Sequence, residues 1–540
     1  MRIEALDTRR LTGFLAEYVN QPDQCSDLFS YRWKTNGWER ERSEDLAKRS
    51  FSHRQALCRL LEARHAPLRK REACMDNIHK LKQENALVVV AGQQAGLMTG
   101  PLYTAYKAMS VILQAKQYEE TLNQPVVPLF WIAGEDHDLD EVRYVHYLKG
   151  GMWKKLMLGD EPNGEAASTK VLPKKELDAF LAKLFSSLPE TSYTNTLKAI
   201  ATQAAATAST YTEFFKLLMH ELFYREGLLF LDSNDPKLRA IERPFFKELI
   251  RKVDALQECQ VAGEARFVEK GYPAPIATEK QNAHLFYMLD GKRRRLDYEA
   301  GRFYVREAGR QFTKDELLSE VDSHPQRFSN NVVTRPLMQE WLLPTLAFVA
   351  GPGELAYWAT LKDVFALFDY KLTPIIPRLS ATFVPSRVEK HLRESKEAAE
   401  TYIYGDGEKL KEAWLASQHS YPVAQRAQAA AEAIEAAHLP FRELAGEISP
   451  TLQKMGEKNR AFIQGQLAFL KERMEREIRE QHQVGLSKYD EAITWLCPKD
   501  APQERILHSF ILLNTAGIDI FSRLLEKNPP HTGAHLVFYV

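Results

Sequence analysis

The sequence predicts an α/β protein built on an open, mainly parallel sheet, and three observations predict it. First, five short apolar runs stand apart along the chain: ALVVVA (Ala86–Ala91), VVPLFWIAG (Val126–Gly134), LLFLDS (Leu228–Ser233), TLAFVAGPGE (Thr345–Glu354) and LTPIIPR (Leu372–Arg378). Uninterrupted runs of this length are the pattern of strands covered on both faces. Second, helical stretches separate them, which is the arrangement that makes a sheet parallel. Third, several runs end at a glycine turn followed by polar residues, as at Gly92, Gly134 and Gly351.

Taken in order, residues 1–85 are rich in Arg, Glu and Gln with scattered Leu and aromatics, and read as amphipathic helices covering the core. The core itself spans 86–384. After the first strand, Leu102, Ala105, Tyr106, Met109 and Leu113 follow the i, i+3, i+4, i+7 spacing of one buried helical stripe over Leu102–Gln117. Pro101 suits the first turn of that helix, where no amide donor is needed. Val126–Gly134 is the second strand, its Pro128 tolerable only near the beginning or at an edge. Another helix is expected over Leu355–Phe368. Insertions are expected at about 150–227, mostly helical, and 233–344, where HLFYML (His284–Leu289), RRLDY (Arg294–Tyr298) and RFYV (Arg302–Val305) alternate like an antiparallel hairpin or meander.

From about Val384 the texture turns to Ala, Glu, Lys, Arg and Gln at helical spacing, so 385–500 reads as a helical arm. Ile463, Leu467, Leu470, Met474 and Ile478 step by four, three, four and four, a seam for a neighbouring helix. Pro422 and Pro440 are expected to divide the arm into an antiparallel hairpin, serving either as a packed subdomain or as a dimerisation element. Residues 501–540 regain aliphatic and aromatic side chains and are expected to return to the core.

Composition removes several function classes. Seventy-two basic and seventy-two acidic residues cancel, so no overall field steers the chain to nucleic acid or an anionic membrane. The basic run Lys292–Arg295 reads as a solvated hairpin. Cys25, Cys58, Cys74, Cys259 and Cys497 are odd in number and form no CxxC pair, which argues against a disulfide framework or a thiolate zinc site and fits a reducing cytoplasm. The first residues carry no apolar signal core, and no run reaches the ~20 apolar residues that span a bilayer. A protein neither exported nor embedded in a membrane is expected.

The chemistry is expected where strands end. In Ala91–Pro101, Gly92, Gly96 and Gly100 permit unusual backbone and close approach of a ligand, and the following helix directs free amides at the loop, an anion-ready cradle. The loop has neither the GK[ST] ending of a phosphate loop nor GxGxxG spacing, so a purely structural turn is the competing reading. Gln93 and Gln94 suit a polar small molecule, and Tyr103 and Lys107 face either that ligand or solvent. Gly134–Asp138 follows the second strand and so lies at the same sheet edge. Glu135, Asp136 and Asp138 can bind an amine or act as bases, and His137 exchanges protons near neutrality; two or three of the four are expected in the site, without a metal cage. In Ala350–Trp358, Gly351 and Gly353 make a turn, Glu354 lies in the first helical turn, and Tyr357 and Trp358 either stack on a ligand or belong to the core. Asn330, Asn331, Arg335 and Arg378 are donors suited to a carboxylated substrate.

Taken together, GQQAGLMTGPLYTAYKA, FWIAGEDHD, NVVTRPLMQEWLLP, GPGELAYW and PIIPRLSATFV, in this order between Ala86 and Val384, resemble the bacillithiol-biosynthesis cysteine-adding enzyme family (BshC). The resemblance implies a Rossmann-like core with connecting-peptide insertions and a coiled-coil arm that forms a homodimer. It also implies a ligase joining the carboxyl of cysteine to the amino group of glucosaminyl-malate, with Glu135, Asp136, His137 and Asp138 as the catalytic group. The substrate-binding set it implies is Gly92, Gln93, Gln94, Thr99, Tyr103, Lys107, Asn330, Arg335, Gly351, Gly353, Glu354, Tyr357, Trp358 and Arg378. An adenine nucleotide is a candidate for activating the carboxyl. The alternatives are a nucleotidyl- or adenylyl-transferase acting on another small acid, and a non-catalytic coiled-coil binding protein.

Overall fold

In the computed structural model, which describes residues 1–159 and 164–540, the five apolar runs form one parallel sheet. Residues 160–163, inside the first expected insertion, lie outside the described residues. The strands are Leu87–Gln93, Val126–Ile132, Leu229–Asp232, Thr345–Ala350 and Ile375–Pro377. Numbered in chain order they lie 3-2-1-4-5 across the sheet. This is a Rossmann-like order, reversing direction between the first and fourth strands, and loops leaving the carboxyl ends at such a reversal splay apart into a crevice. Pro128 is tolerated because it sits opposite Val89 on one side, while pairing to Leu229–Asp232 on the other begins only at Leu129.

The Leu102–Leu122 helix crosses over this sheet with Leu102, Ala105, Tyr106 and Met109 wholly buried. A second, three-stranded sheet joins distant parts of the chain: Arg2–Ala5 runs antiparallel to His535–Tyr539, which runs parallel to Ser380–Val384. The strand at the N-terminus differs from the all-helical reading of 1–85. RIEA has only two apolar residues, and its pairing partner stands more than 500 residues away, so no local pattern marks it.

A hairpin, Tyr144–Lys149 against Met152–Met157, straddles the expected start of the first insertion, ahead of helices Lys174–Ser187, Thr194–Thr207 and Tyr211–Phe223. The second holds helices Pro236–Arg251 and Val253–Glu269 and an antiparallel meander, Asn282–Leu289, Lys292–Glu299, Arg302–Val305 and Arg310–Thr313, with Phe328–Asn330 added beside the first of these strands. The helix expected over Leu355–Phe368 is two short ones, Pro352–Trp358 and Lys362–Ala366, and at the break the Thr360 hydroxyl donates to the Tyr357 carbonyl.

The chain divides into two compact units, 1–385 with 501–540 and 386–500. Within the second, Val423–Ile448 and Pro450–Gln481 form an antiparallel pair of helices. Pro440 lies inside the first helix and does not divide it. The turn falls instead at Ser449, whose side chain caps the next helix by accepting the Leu452 amide, with Pro450 in the position where proline costs no hydrogen bond. Of the seam residues, Ile478 is buried, Ile463 and Leu467 are half-buried, and Leu470 and Met474 are exposed. Among the described residues no helix is long and apolar enough to cross a membrane, and all five cysteines are free.

Candidate active site

The loops that follow the first, second, fourth and fifth strands of the parallel sheet meet around an open cleft of about 810 Å³. Gly92, Gln93, Gln94, Tyr103 and Lys107 line it from the first strand and helix; Glu135, Asp136, His137 and Asp138 from the second loop; Asn330, Asn331 and Arg335 from the second insertion; Gly351, Gly353, Glu354 and Tyr357 from the fourth strand; and Arg378 from the fifth. Thr99 and Trp358 stand outside it. Thr99 is wholly buried and donates its hydroxyl to Ser509 Oγ at 2.8 Å, and Trp358 stacks on Phe348 in the core with ring centroids 4.6 Å apart.

The first loop is not an anion cradle. Its second half, Ala95–Gly100, is buried, and Gly96 and Gly100 pack so closely that a Cβ on Gly96 would fall 2.7 Å from Gly100 Cα. Four amides in and just after this half are already used. Gly96 N donates to the Gln94 carbonyl, Leu97 N to Val142, Gly100 N to Leu97, and Leu102 N, at the start of the helix, to Leu507. Buried as it is, this half of the loop presents no open backbone cradle to a nucleotide phosphate, so it does not fit that group. What reaches the cleft is the first half: the Gly92 carbonyl, Gln93 and Gln94.

Lys107 answers the question of ligand or solvent by lying at the cleft floor, 3% exposed. Its Nζ donates to the Gly92 carbonyl at 2.7 Å and Gln93 Oε1 at 2.9 Å and pairs with Glu354 Oε2 at 2.6 Å. Burial pulls its pKa below the ordinary lysine range while Glu354 opposes that fall. Glu354 Oε2 also accepts the Gly351 amide, capping the helix after the fourth strand. One ion pair thus ties the first strand, the first helix and the fourth-strand turn together.

The second loop is held from behind. Gly134 O accepts from the Ser168 amide and Asp136 O from the Ala167 amide, and a Cβ on Gly134 would fall 2.0 Å from both Asp232 Oδ1 and Ser168 Oγ, so only glycine fits. In front, Gln94 Nε2 donates to Asp136 Oδ2 at 2.6 Å and Glu141 Oε2 at 2.9 Å, joining the two loops. His137 Nδ1 faces Arg293 Nη1 at 3.4 Å. A guanidinium only donates, so that nitrogen accepts and the imidazole is neutral. Burial, then Arg293, lower the His137 pKa, in agreement with that state.

Arg293 corrects the reading of Lys292–Arg295 as a solvated run. The hairpin is present, but the Arg293 side chain is buried, lines the cleft, lies over the Phe286 ring at 3.7 Å, and donates to Ser329 Oγ and the Asn330 carbonyl at 3.0 and 2.6 Å. Beneath the loop, Glu135 is 4% exposed and lies 4.0 Å from Arg239 Nη2, which in turn pairs through Nη1 with Glu242 at 2.8 Å. Arg239 and Glu242 are wholly buried, and burial, only partly offset by Arg239, pushes Glu242 up to about 7. These two were legible in principle: three apart, they sit on the same stripe of the Pro236–Arg251 helix as Leu238, Phe245, Phe246 and Leu249, where charges are rare unless paired. Arg293 had no such signal.

On the opposite side, Arg335 Nη1 donates to Gln339 Oε1 at 3.0 Å and its guanidinium lies over Phe348, while Nη2 is buried without a hydrogen-bond partner. Arg378 is gripped by Glu504 in two hydrogen bonds of 2.9 and 2.5 Å, so less of its charge is free for a ligand than its sequence position suggests. Arg505, from the returning C-terminal segment, adds a further cation to the lining. Among the described residues no three His, Cys, Asp or Glu side chains are grouped to hold a metal ion.

The cleft therefore has an acidic wall, Glu135 to Asp138 with Glu141, facing guanidinium groups, a layout for a ligand carrying both amine and carboxylate. The model of the bacillithiol biosynthesis BshC N-terminal Rossmann-like domain matches residues 1–379, and that of the BshC C-terminal coiled-coil domain matches residues 381–540. The protein named "Putative cysteine ligase BshC" in Shouchella clausii (strain KSM-K16) is 95% identical over all 540 residues, covering 100% of both chains. Its namesakes in Halalkalibacterium halodurans and Bacillus thuringiensis subsp. konkukian are 41% and 35% identical over 99% and 97% of both chains. With both domain models matched in sequence over nearly its whole length, and the parallel sheet and cleft in place, the chain belongs to the bacillithiol biosynthesis BshC family.

Proposed function

We propose that the protein is a cytoplasmic ligase that joins the carboxyl of cysteine to the amino group of glucosaminyl-malate. The observation that carries this reading is the pairing, in one cleft at the reversal point of the sheet, of the Glu135–Asp138 wall with Arg335, Arg378 and Arg505. The arginines suit the malate carboxylates, which they can hold by charge-assisted hydrogen bonds. Gln93, Gln94, Tyr103, Lys107, Asn330, Glu354 and Tyr357 complete the polar lining, with Gly92, Gly351 and Gly353 allowing close approach.

In the bond-forming step the sugar nitrogen attacks the carbonyl carbon of cysteine, a C–N bond forms, and the carboxyl oxygen departs on the group that activates it. A proton must leave the amine. Asp136 is the acceptor this arrangement favours, because Gln94 orients its carboxylate toward the cleft, whereas His137 Nδ1 is turned to Arg293. A base so placed contributes on the order of 10²–10⁴ in rate.

The test is incubation of the full chain with cysteine, glucosaminyl-malate and ATP, with the amide product read by mass spectrometry. Product at the combined mass less water supports the reading. Pyrophosphate release that needs no glucosaminyl-malate, with no amide formed, points instead to an adenylyl-transferase. The homodimer expected through the arm is part of the same proposal; exposed Phe462, Phe469, Leu470 and Met474 on the Pro450–Gln481 helix support it, and light scattering on the full chain tests it.

A further inference from the structure

Resting on that reading, one problem of selectivity stands out. The reaction brings two amines to one cleft. The sugar amine has to lose a proton to attack, while the α-ammonium of cysteine has to keep its proton, since an uncharged α-amine would compete as a nucleophile and consume cysteine. A single acidic wall does not separate these tasks unless its members differ, and they do.

Asp136 and His137 are partly exposed at the lip, one oriented by Gln94 and the other kept neutral beside Arg293. Glu135 points the other way, into the floor. It is 4% exposed and lines the cleft, and its Oε2 has no hydrogen-bond partner. Arg239 Nη2 lies 4.0 Å from that Oε2, while Arg293 Nη1 stands 4.0 Å from Asp136 in the loop above. Its spare oxygen is an acceptor open to a neighbouring ammonium. Nor is it alone in lacking partners. Asn330, 2% exposed, has both amide atoms unpartnered, and the wholly buried Trp131 has a free indole N–H; both line the same cleft. Buried polar atoms are nearly always paired, so several left unpaired on residues that line one cleft mark where a ligand makes its bonds. The acceptors, Glu135 Oε2 and Asn330 Oδ1, match the N–H bonds of an ammonium, while the donors, Asn330 Nδ2 and Trp131 Nε1, match an adjacent carbonyl oxygen.

We propose that Glu135, with Asn330 and Trp131, forms the subsite for the α-ammonium end of the amino-acid substrate, so that Glu135 is a specificity-determining residue and not the base. The subsite accepts an α-amino acid and rejects the corresponding acid without the amine. Asp136 then deals with the second amine alone, and the wall of four charged residues has a division of labour along its length.

The experiment compares cysteine with 3-mercaptopropionate, which differs only in lacking the ammonium, as acyl donors for the full chain in the amide-forming assay. Wild type is expected to prefer cysteine by 100-fold or more in kcat/KM. Glu135→Gln is expected to reduce that preference at least tenfold, chiefly through the KM for cysteine, with the KM for glucosaminyl-malate unchanged within twofold; Glu135→Asp, which keeps the charge and folds with less disturbance, should retain most of it. The proposal is overturned if Glu135→Gln and Glu135→Asp both keep the full preference, or if Glu135→Gln instead raises the KM for glucosaminyl-malate, which would place Glu135 at the sugar amine. Either result leaves the ligase reading standing. Absence of amide product from the wild type with cysteine is the separate failure of that reading, and calorimetric titration of the same proteins with cysteine and 3-mercaptopropionate then decides the subsite, Glu135-dependent preference for cysteine supporting it and equal binding overturning it.

Discussion

Gly92–Pro101 and Gly134–Asp138 leave neighbouring strands of one sheet at the same edge, and each begins with a glycine, yet their residues point to different ends. In the first, Ala95–Gly100 is buried, the Gly96, Leu97, Gly100 and Leu102 amides bond within the loop or to Val142 and Leu507, and Met98 and Thr99 are held at positive φ, 51° and 75°. In the second, the backbone is anchored from behind by Ala167 and Ser168, leaving the side chains of Glu135, Asp136, His137 and Asp138 to the cleft. Glycine-rich sequence after a strand is therefore no guide to which loop does chemistry. What distinguishes them is burial, since a loop packed into the core has no surface to give a ligand.

The comparison breaks most decisively at Asp136. Replacement by Asn preserves shape and one hydrogen-bond acceptor for Gln94 while removing the proton acceptor, and is expected to lower kcat by 10²–10⁴ with the melting temperature nearly unchanged. Steady-state kinetics on a variant checked for folding by circular dichroism measures this. An unaltered kcat would move the base elsewhere on the wall.

The first loop should answer in stability instead. Gly96→Ala places a methyl 2.7 Å from Gly100 Cα, and Gly100, at φ 70° and ψ −168°, sits in a region essentially reserved for glycine, so its backbone has little room to yield. A loss of about 1–3 kcal/mol, the cost of overpacking a tight core, is expected in urea unfolding. Activity per folded molecule should fall far less than in Asp136→Asn. A variant that is fully stable but inactive would reverse the assignment of the two loops.

Much of this was legible beforehand, for identifiable reasons. Five apolar runs gave five parallel strands because strands covered on both faces need no alternation, and the strand ends placed Gly92, Glu135, Gly351 and Arg378 at one edge by topology alone. Thr99 and Trp358 lie outside the cleft, and in sequence a small polar residue and an aromatic next to a glycine turn look the same whether they face a ligand or a core. Arg293 was passed over because its burial depends on a meander folding over the cleft, a contact between segments about 150 residues apart that leaves no local periodicity. Arg2–Ala5 was missed for the same kind of reason, its partner strand lying at the other end of the chain.

Under the second loop, the buried Arg239–Glu242 pair gives a difference that pH can read. The Glu242 pKa is raised from 4.5 to about 7, chiefly by burial. A carboxyl with a raised folded pKa binds more protons folded than unfolded between those values, so its contribution favours the fold below about pH 4.5 and is lost as pH rises through about 7. Glu242→Gln should therefore remove a downward slope of at most about 1.4 kcal/mol per pH unit from the stability profile of that window. Urea unfolding at pH 5, 6 and 7 on both proteins tests the sign; a wild-type profile that steepens upward relative to the variant would show Glu242 stabilised as the anion instead.

Thr99→Val is the smallest change and the cleanest separation of packing from chemistry in the first loop. The substitution keeps a β-branched side chain of nearly the same volume at the same positive φ and removes only the hydroxyl that donates to Ser509 Oγ at 2.8 Å. Ser509 is itself buried, so the variant leaves one polar atom without that partner, and a destabilisation of about 1 kcal/mol is expected. Because Thr99 does not line the cleft, the KM values for both substrates should stay within twofold of wild type. A rise in either KM at unchanged stability would return Thr99 to the substrate-binding set and show that the buried half of the loop opens during turnover, whereas a stability loss with unchanged kinetics confirms that this half of the loop is packing and that the chemistry begins at Gly92, Gln93 and Gln94.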